Sequence, residues 1–431
     1  MDICTFTGGT ILIPQTDLTA FSVIACDQYT SEPEYWKQAA AIADGKPSAL
    51  NLIFPEAELG APEANSERIR KIHDAMWQSL SSGLFREYPD AMILTERTLR
   101  DGSVRYGILG LIDLEQYDYH TESESFIRAT EQTVLARVES RKELRDGSAL
   151  DIPHLMLLVD DRDKELVEPL IARIGEFEKI YDFGLMQNSG HLRGYLIPKD
   201  GQEHIAAVLE KWSDPSWFRR KYRSTSHPMV LAVGDGNHSL AAAKNAYERI
   251  KERIGAEAAA SHPARYALAE LNNLHDPAIT FEPIYRVLKG ADLDDLLNFL
   301  RKSEPAFHGG SAQFGETSLY FQCGLERRTL SIPSQPGILP VQILQPLLDA
   351  YLAEHPEVGI DYIHGLDTVR ALAGDPACIG ITFSGIRKDE VFGAVIHGDV
   401  LPRKTFSIGH AEDKRFYLES RRILTDADRE A

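Results

Sequence analysis

Asp235-Gly236-Asn237-His238 places a carboxylate, a flexible bend and an imidazole within four residues, at a point where the apolar period of the chain changes. Met229 to Val233 is an unbroken apolar run, as in a strand buried on both faces. Beyond the bend, Leu240, Ala243 and Tyr247 recur at helical spacing in an Ala-rich stretch. Gly234 and Gly236 supply backbone freedom, and Asp235 and Asn237 carry side-chain oxygens suited to capping a helix that opens near His238. The amides of such a helix start, backed by the macrodipole, attract anions. The chemistry this suits is the binding of an anion, with one carboxylate and one imidazole beside it. The same residues also describe an ordinary turn between strand and helix.

Other chemistry-bearing residues are spread along the chain. Asp27 and Tyr29 follow an apolar run, Phe21 to Cys26, that reads as a strand, which puts them where α/β folds meet substrate. In Ser125 to Arg145, Arg128, Arg137 and Arg141 stand near Glu131, and a helix from Glu131 puts Arg137 and Arg141 on one face; a solvated, ion-paired helix gives the same spacing. His275 lies in a polar turn after the run Tyr266 to Asn272, and Arg403 and Lys404 form a cationic pair able to reach a phosphate. A metal-dependent hydrolase would draw on His238, His275 and His364, no two of which share an H-x-x-x-H spacing.

The elements that must position these groups are legible in outline. Ser31-Glu32-Pro33-Glu34 reads as a capping box for a helix from Pro33 to Ala43, Leu50 to Phe54 as a short strand, and Glu63 to Leu84 as an amphipathic helix with little chemistry. Met92 to Leu99 and Val104 to Leu111 flank Asp101-Gly102, a strong hairpin signal. A run of α/β units follows from Pro153: a strand from Leu155 to Val159, a helix from Lys164 to Gly175, and a helix from His204 to Trp212. Near Gly290 the chain reads as two regions, 1–290 and 291–431, the second opening with Asp292 as a cap and holding a hairpin, a helix from Val341 to Ala353 and a strand from Cys378 to Phe383.

Composition narrows the function. The 431 residues carry 65 acidic and 46 basic side chains, a net charge of −19, which disfavours binding nucleic acid through its phosphates. A small anion in a local basic pocket fits that balance. No run approaches the roughly 20 apolar residues that cross a bilayer, and no basic-then-apolar leader opens the sequence, so a cytoplasmic location and no membrane partner are expected. Cys4, Cys26, Cys323 and Cys378 stand singly, which suggests neither a disulfide framework nor a thiolate zinc site.

The blocks CDQYTSEPEYW, IRATEQTVLARV, MLLVDD, LMQNSGHLRGYL, VGDGNHSLAAAK, HDPAITFEPIYR and LPRKTFSIG resemble, in this order, those of a prokaryotic family known as domain of unknown function 1015. Two of them also resemble motifs of the ParB/sulfiredoxin-like superfamily, specifically its free serine kinases. Asp235, Gly236 and His238 match a D-G-H-H-R box, with Asn237 for the first histidine and Ser239 for the arginine; Thr130-Glu131 matches a His-Glu pair. The resemblance implies a mixed α+β fold with a ParB/sulfiredoxin-like core, inserted α/β units and a C-terminal α+β region. It implies a nucleotide-dependent phosphotransferase that uses Mg²⁺ with ATP or ADP on a small hydroxylated metabolite such as serine. Glu131 is then the proton acceptor, Gly234, Gly236, Asn237, His238 and Ser239 hold phosphate, Asp235 binds Mg²⁺ directly or through water, and Arg128, Arg137, Arg403 and Lys404 balance charge. A nucleotide-binding sensor with little turnover is the alternative, and the sequence leaves the oligomeric state open.

Overall fold

The computed structural model describes residues 5–133, 135–310, 312–334, 338–398 and 400–430, and their side chains except at 135–140, 398 and 430. The fold is mixed α+β. Two compact units divide it: Met1–Ala129, Thr133–Ile279 and Gly409–Ala431 make the first, and Thr130–Gln132 with Thr280–Ile408 the second. This differs from a single cut at 290/291 for a physical reason. The strand Phe281–Lys289 is hydrogen-bonded into the second unit's sheet. The chain beyond 409 returns to the first unit, where Phe416–Tyr417 pairs with Val23–Ile24 and Arg421–Arg422 with Leu150–Asp151.

In the first unit, β1 (Ile93–Thr98), β2 (Val104–Asp113), β3 (Ile127–Ala129), β4 (Met156–Val159), β5 (Glu178–Gly184), β6 (His191–Leu196), β7 (Leu231–Asp235) and β8 (Tyr266–Asn273) share one sheet. Their order is β5-β6-β1-β2-β8-β4-β7-β3, with Phe6–Thr7 beside β2 and Tyr117–Asp118 beside β3. Pairs from β5 to β8 are antiparallel; β4 runs parallel to β8, and β3 parallel to β7. The Asp101-Gly102 hairpin forms as read, with Gly102 at φ +88° and Asp101 Oδ1 accepting the Ser103 amide at 2.8 Å. The apolar runs of β4 and β7 are buried, as their lack of alternation requires.

The helices of this unit used below are α1 (Pro33–Ala43), α2 (Pro62–Ser81), α3 (Leu135–Asp146) and α4 (Asn237–Ile254). Proline in the first turn starts α1, but no side chain caps it, so the expected Ser31 capping box is not formed. Leu50 to Phe54 is not a strand: Ser48 Oγ accepts the Leu50 amide at 3.3 Å and winds Ala49–Asn51 into a 3₁₀ turn. The expected helix 164–175 shrinks to Glu168–Ile171, because Asp161 takes the Glu165 and Leu166 amides into a local turn.

The second unit's sheet contains β9 (Phe281–Lys289), β10 (Glu316–Cys323), β11 (Glu326–Pro333), β12 (Gly359–His364) and β13 (Cys378–Phe383), in the order β11-β10-β13-β9-β12. Its helices include α5 (Leu293–Ser303), capped by Asp292 on the Asp295 amide at 2.9 Å, and α6 (Pro340–Glu354).

Residues 412–415 form a strap over β1, β2 and β8 of the first unit. The carbonyl of Glu412 accepts from Arg97 Nη2 at 3.2 Å, and that of Asp413 from Arg105 Nη1 at 3.0 Å. Arg415, buried, donates to Glu270 at 3.0 Å and to Glu419 at 2.5 Å, and the Tyr181 hydroxyl donates to Glu419. Thr95 Oγ1 and Asn272 Nδ2 also donate to Glu270, at 3.1 and 3.3 Å. Burial opposes ionisation of Glu270, but Arg415, then Arg105, and these hydrogen bonds hold its carboxyl below the ordinary 4.5. Arg415→Met should therefore lower unfolding free energy by about 3 kcal/mol or more, because it strands two buried carboxylates. Glu270 stabilises the fold fully at pH above 4.5 and progressively less as pH falls below it, so the urea midpoint of the wild-type chain should drop over that acid range and that of Glu270→Gln less steeply.

Candidate functional site

The turn between β7 and α4 gathers a set of polar groups. Gly236 stands at φ +84°, and a Cβ there would lie 3.3 Å from Leu155 Cα and 3.7 Å from His154 Cδ2. Only glycine lets the chain reverse so close to the segment before β4. Asp235 Oδ1 accepts its own turn's Gly236 amide at 2.9 Å, and Oδ2 meets Lys414 Nζ at 3.1 Å. The residue before α4 is Gly236, which has no side chain to cap it, so the expected capping by Asp235 and Asn237 is not formed at that position. Asn237 is 8% exposed, and its buried Oδ1 has no hydrogen-bond partner among the described residues. His238 and Ser239 follow in the first turn, both half-buried, and Gly234 is half-buried within β7.

Under this turn lies a pair that sequence reasoning missed. The Tyr417 hydroxyl accepts the Cys26 amide at 3.2 Å and lies 2.8 Å from His154 Nδ1. Burial lifts the Tyr417 hydroxyl well above its usual range, so it stays protonated and shares a hydrogen bond with Nδ1. Burial, with Asp27 alongside, pushes the Cys26 thiol up to about 12 and leaves it a poor nucleophile. Asp27 itself is half-buried. Burial resists its charge, but His154, the Gln28 amide at 3.0 Å, Lys414 and Arg141 outweigh that and keep its carboxyl ionised at neutral pH.

His154, Tyr417, Cys26 and Ser239 also line a cavity of about 510 Å³ whose remaining walls are largely apolar: Leu52, Ile69 and Met76 on the α2 side, Leu144 from α3, and Leu240 and Ala243 from α4. Arg141 with Glu56, and Arg145 with Asp151 at 2.5 Å, stand as ion pairs on its wall. The helix Glu63 to Leu84, which offered no chemistry as sequence, is thus a wall of the site.

The other expected site residues lie as follows. Arg128 is buried, with Nε and Nη2 donating to the carbonyls of Ser125 at 2.8 Å and His227 at 2.6 Å; it braces the backbone rather than balancing phosphate. Arg137 falls outside the described side chains. Tyr29 stacks on Tyr35, ring centroids 4.0 Å apart. His275 Nε2 lies 2.6 Å from Asp160 Oδ1, and Asp160 also meets Lys221 at 3.1 Å and the Tyr222 hydroxyl at 2.9 Å, so His275 is tied into a brace rather than left for substrate. Burial works against the Asp160 charge, but His275, Lys221 and Tyr222 hold its carboxyl at about 2. No group of three or more metal-ligating side chains occurs among the described residues, His275 and His364 included. Asp235 does not fit as a direct Mg²⁺ ligand, because one oxygen is held by its own turn and the other by the Lys414 ammonium.

In the second unit, Glu131 is not helical. It bridges Leu401, and its carboxylate accepts the amides of Lys404 at 3.2 Å and Thr405 at 3.1 Å. Burial raises its pKa, against the pull of Lys404 and these amides. Arg403 donates to the Tyr362 hydroxyl at 3.1 Å, and Lys404 stands at φ +57°. Beneath them Arg286, fully buried, donates to Gln345 and to the carbonyls of Lys404 and Arg403 at 2.8, 2.8 and 3.2 Å. It holds that loop from below, and no motif in the sequence marks it.

Fold and site together define a mixed α+β protein with a ligand-sized cavity walled in part by Ser239, Leu240 and Ala243 of α4. The family model described as "Protein of unknown function (DUF1015)" matches residues 10–351, and the chain belongs to that family. Among solved structures it is similar to a free serine kinase variant in complex with ADP, at 12% identity and TM-score 0.40 over 72% of this chain and 91% of that one. It is similar also to a conserved hypothetical protein from Pyrococcus furiosus (13%, TM-score 0.37, 73% and 94%). A third is C-terminally truncated SbnI from Staphylococcus aureus (10%, TM-score 0.36, 70% and 82%). No curated protein matches the chain. No helix among the described residues is long and apolar enough to cross a membrane.

The glycine at the bend gives a direct check. Gly102 shares its left-handed conformation, but a Cβ there would meet nothing within 4 Å. Gly102→Ala should cost about 1 kcal/mol from backbone strain alone. Gly236→Ala adds contact with Leu155 and should cost more, read as a larger drop in the urea midpoint.

Proposed function

We propose that this protein is a nucleotide-dependent phosphotransferase acting on a small hydroxylated metabolite. The observation that carries the reading is the cavity of about 510 Å³ walled by α4 from Ser239 in its first turn to Ala243, next along the chain to the Gly236 bend. Its apolar walls suit a nucleobase, and the turn at Gly236 suits phosphate, with Lys414 adding positive charge beside Asp235. Phosphoryl transfer asks mainly for positioning, for charge around the transferred oxygens and for a proton acceptor. His238 and the amides of the first turn of α4 hold phosphate in this reading. Mg²⁺ travels with the nucleotide, and no step is assigned to it.

Thermal denaturation with ATP, ADP and CTP, each with and without Mg²⁺, tests the binding half. At a hundredfold excess over Kd a nucleotide stabilises by about 2.7 kcal/mol, a shift of a few degrees in Tm. No shift with any nucleotide at millimolar concentration overturns the reading. Product analysis over hours then separates transfer from binding: bound nucleotide with no phosphate moved makes the protein a sensor.

The proton acceptor in this proposal is Glu131, whose burial-raised pKa suits a base. Glu131→Gln keeps a carbonyl oxygen for one of the Lys404 and Thr405 amides and sets an NH₂ group against the other, so circular dichroism of the variant accompanies the assay. Turnover should fall at least a hundredfold, with nucleotide affinity within a few-fold of wild type; a variant of equal activity removes Glu131 from the mechanism.

A further inference from the structure

Among the described residues, Tyr35 Oη, Arg97 Nε, Arg105 Nε, Asn272 Oδ1 and Arg415 Nε of the first unit are buried polar atoms without a partner. The sheet explains why the middle three gather. Arg97 on β1 stands directly opposite Arg105 on β2, so both point to one face. Asn272 on β8 pairs with Gly107, two residues along from Arg105, and therefore shares that face. Arg97 is 3% exposed, Arg105 2% and Asn272 0%.

Neither Arg97 nor Arg105 has a carboxylate as hydrogen-bonding partner. Arg97 donates to the carbonyls of Thr98, Ser189 and Glu412, and Arg105 to that of Asp413 alone. Glu270 and Asp413 act on Arg97 from further off, and Glu270, which acts on Arg105 as well, already takes its hydrogen bond from Arg415. Burial, with Arg105 beside it, pulls the Arg97 guanidinium down to about 9. Two buried like charges facing each other across neighbouring strands are costly unless an anion joins them.

We propose that Arg97 and Arg105 form a second ligand site, which takes a small organic acid: its carboxylate lies on the two guanidinium groups and its hydroxyl or ammonium donates to Asn272 Oδ1. The stacked Tyr29–Tyr35 pair flanks this site, with Tyr35 close enough to Arg97 to feel its charge. The strap joins the site to the phosphate-binding turn, since Glu412 and Asp413 cover the arginines and Lys414, the next residue, reaches Asp235. If the phosphotransferase reading holds, this acid is the acceptor, and its hydroxyl is the group that receives phosphate. The binding itself does not depend on that reading.

The test uses the full chain at constant ionic strength, with glycolate and inorganic phosphate titrated against chloride and stabilisation read by thermal denaturation and calorimetry. Glycolate should bind, Arg105→Gln should weaken it at least tenfold, and Arg105→Lys, which keeps the charge but loses the fork, should weaken it less. Nucleotide-induced stabilisation of Arg105→Gln should stay within a few-fold of wild type, so loss of one kind of binding is distinguishable from loss of the other. Should Arg105→Gln not fold, the wild-type titration and Arg105→Lys still decide. No stabilisation by glycolate at tens of millimolar, glycolate affinity unchanged in both variants, or binding of phosphate alone overturns the proposal and leaves the arginines as clasps for the strap.

Discussion

Arg415 set between Glu270 and Glu419, all three shut away from water, is the interaction on which the first unit depends. Each partner alone would be a buried charge with no answer, and together they fix where the strap lies. The strap in turn brings Lys414 to Asp235 and Tyr417 to His154, so the polar lining of the cavity is set by residues more than a hundred and fifty positions away from the Gly236 turn. The network is held by geometry as much as by charge: Thr95 and Asn272 donate to Glu270 Oε1, and Gly107 leaves room for Glu270 and Asn272.

The first unit divides its labour between a dry and a polar region. Aliphatic residues of α2, α3 and α4 enclose a volume fit for a flat ring, while the polar groups sit at the ends and edges of strands, where backbone amides are unshared. The second unit follows another logic. Arg286 lies at its centre with backbone carbonyls and an amide oxygen as hydrogen-bond acceptors, and Glu131 closes the 401–405 loop from its other side. A carboxylate that accepts two amides is well placed to stay put while its protonation changes.

Much of the fold was legible because local rules decide it. The Asp101-Gly102 hairpin, the glycine bend before α4, the Asp292 cap and the strand Cys378–Phe383 all lie where turn chemistry and apolar period put them. Local rules also misled where a nearby side chain competed for the backbone, as Ser48 and Asp161 did. The site was legible only in its central turn. His154, Lys414 and Tyr417 stand alone in the sequence, without spacing or repeat to mark them, and they meet because a strand pairing of Phe416–Tyr417 with Val23–Ile24 closes nearly four hundred residues. Arg128 looked like a phosphate ligand because charge shows in sequence and hydrogen-bond partners do not.

The return of residues 409–431 to the first unit has a consequence for synthesis. Glu270 emerges from the ribosome long before Arg415, and the stretch Thr280–Ile408 must be made in between. At about 5–20 residues per second that interval is on the order of ten seconds, during which a carboxylate destined for the interior has Arg105 on the neighbouring strand but no arginine hydrogen-bonded to it. The nascent first unit is then an incomplete sheet with an uncovered polar row, a natural client for a chaperone, while the second unit's strands are already together on the chain and free to pair ahead of it.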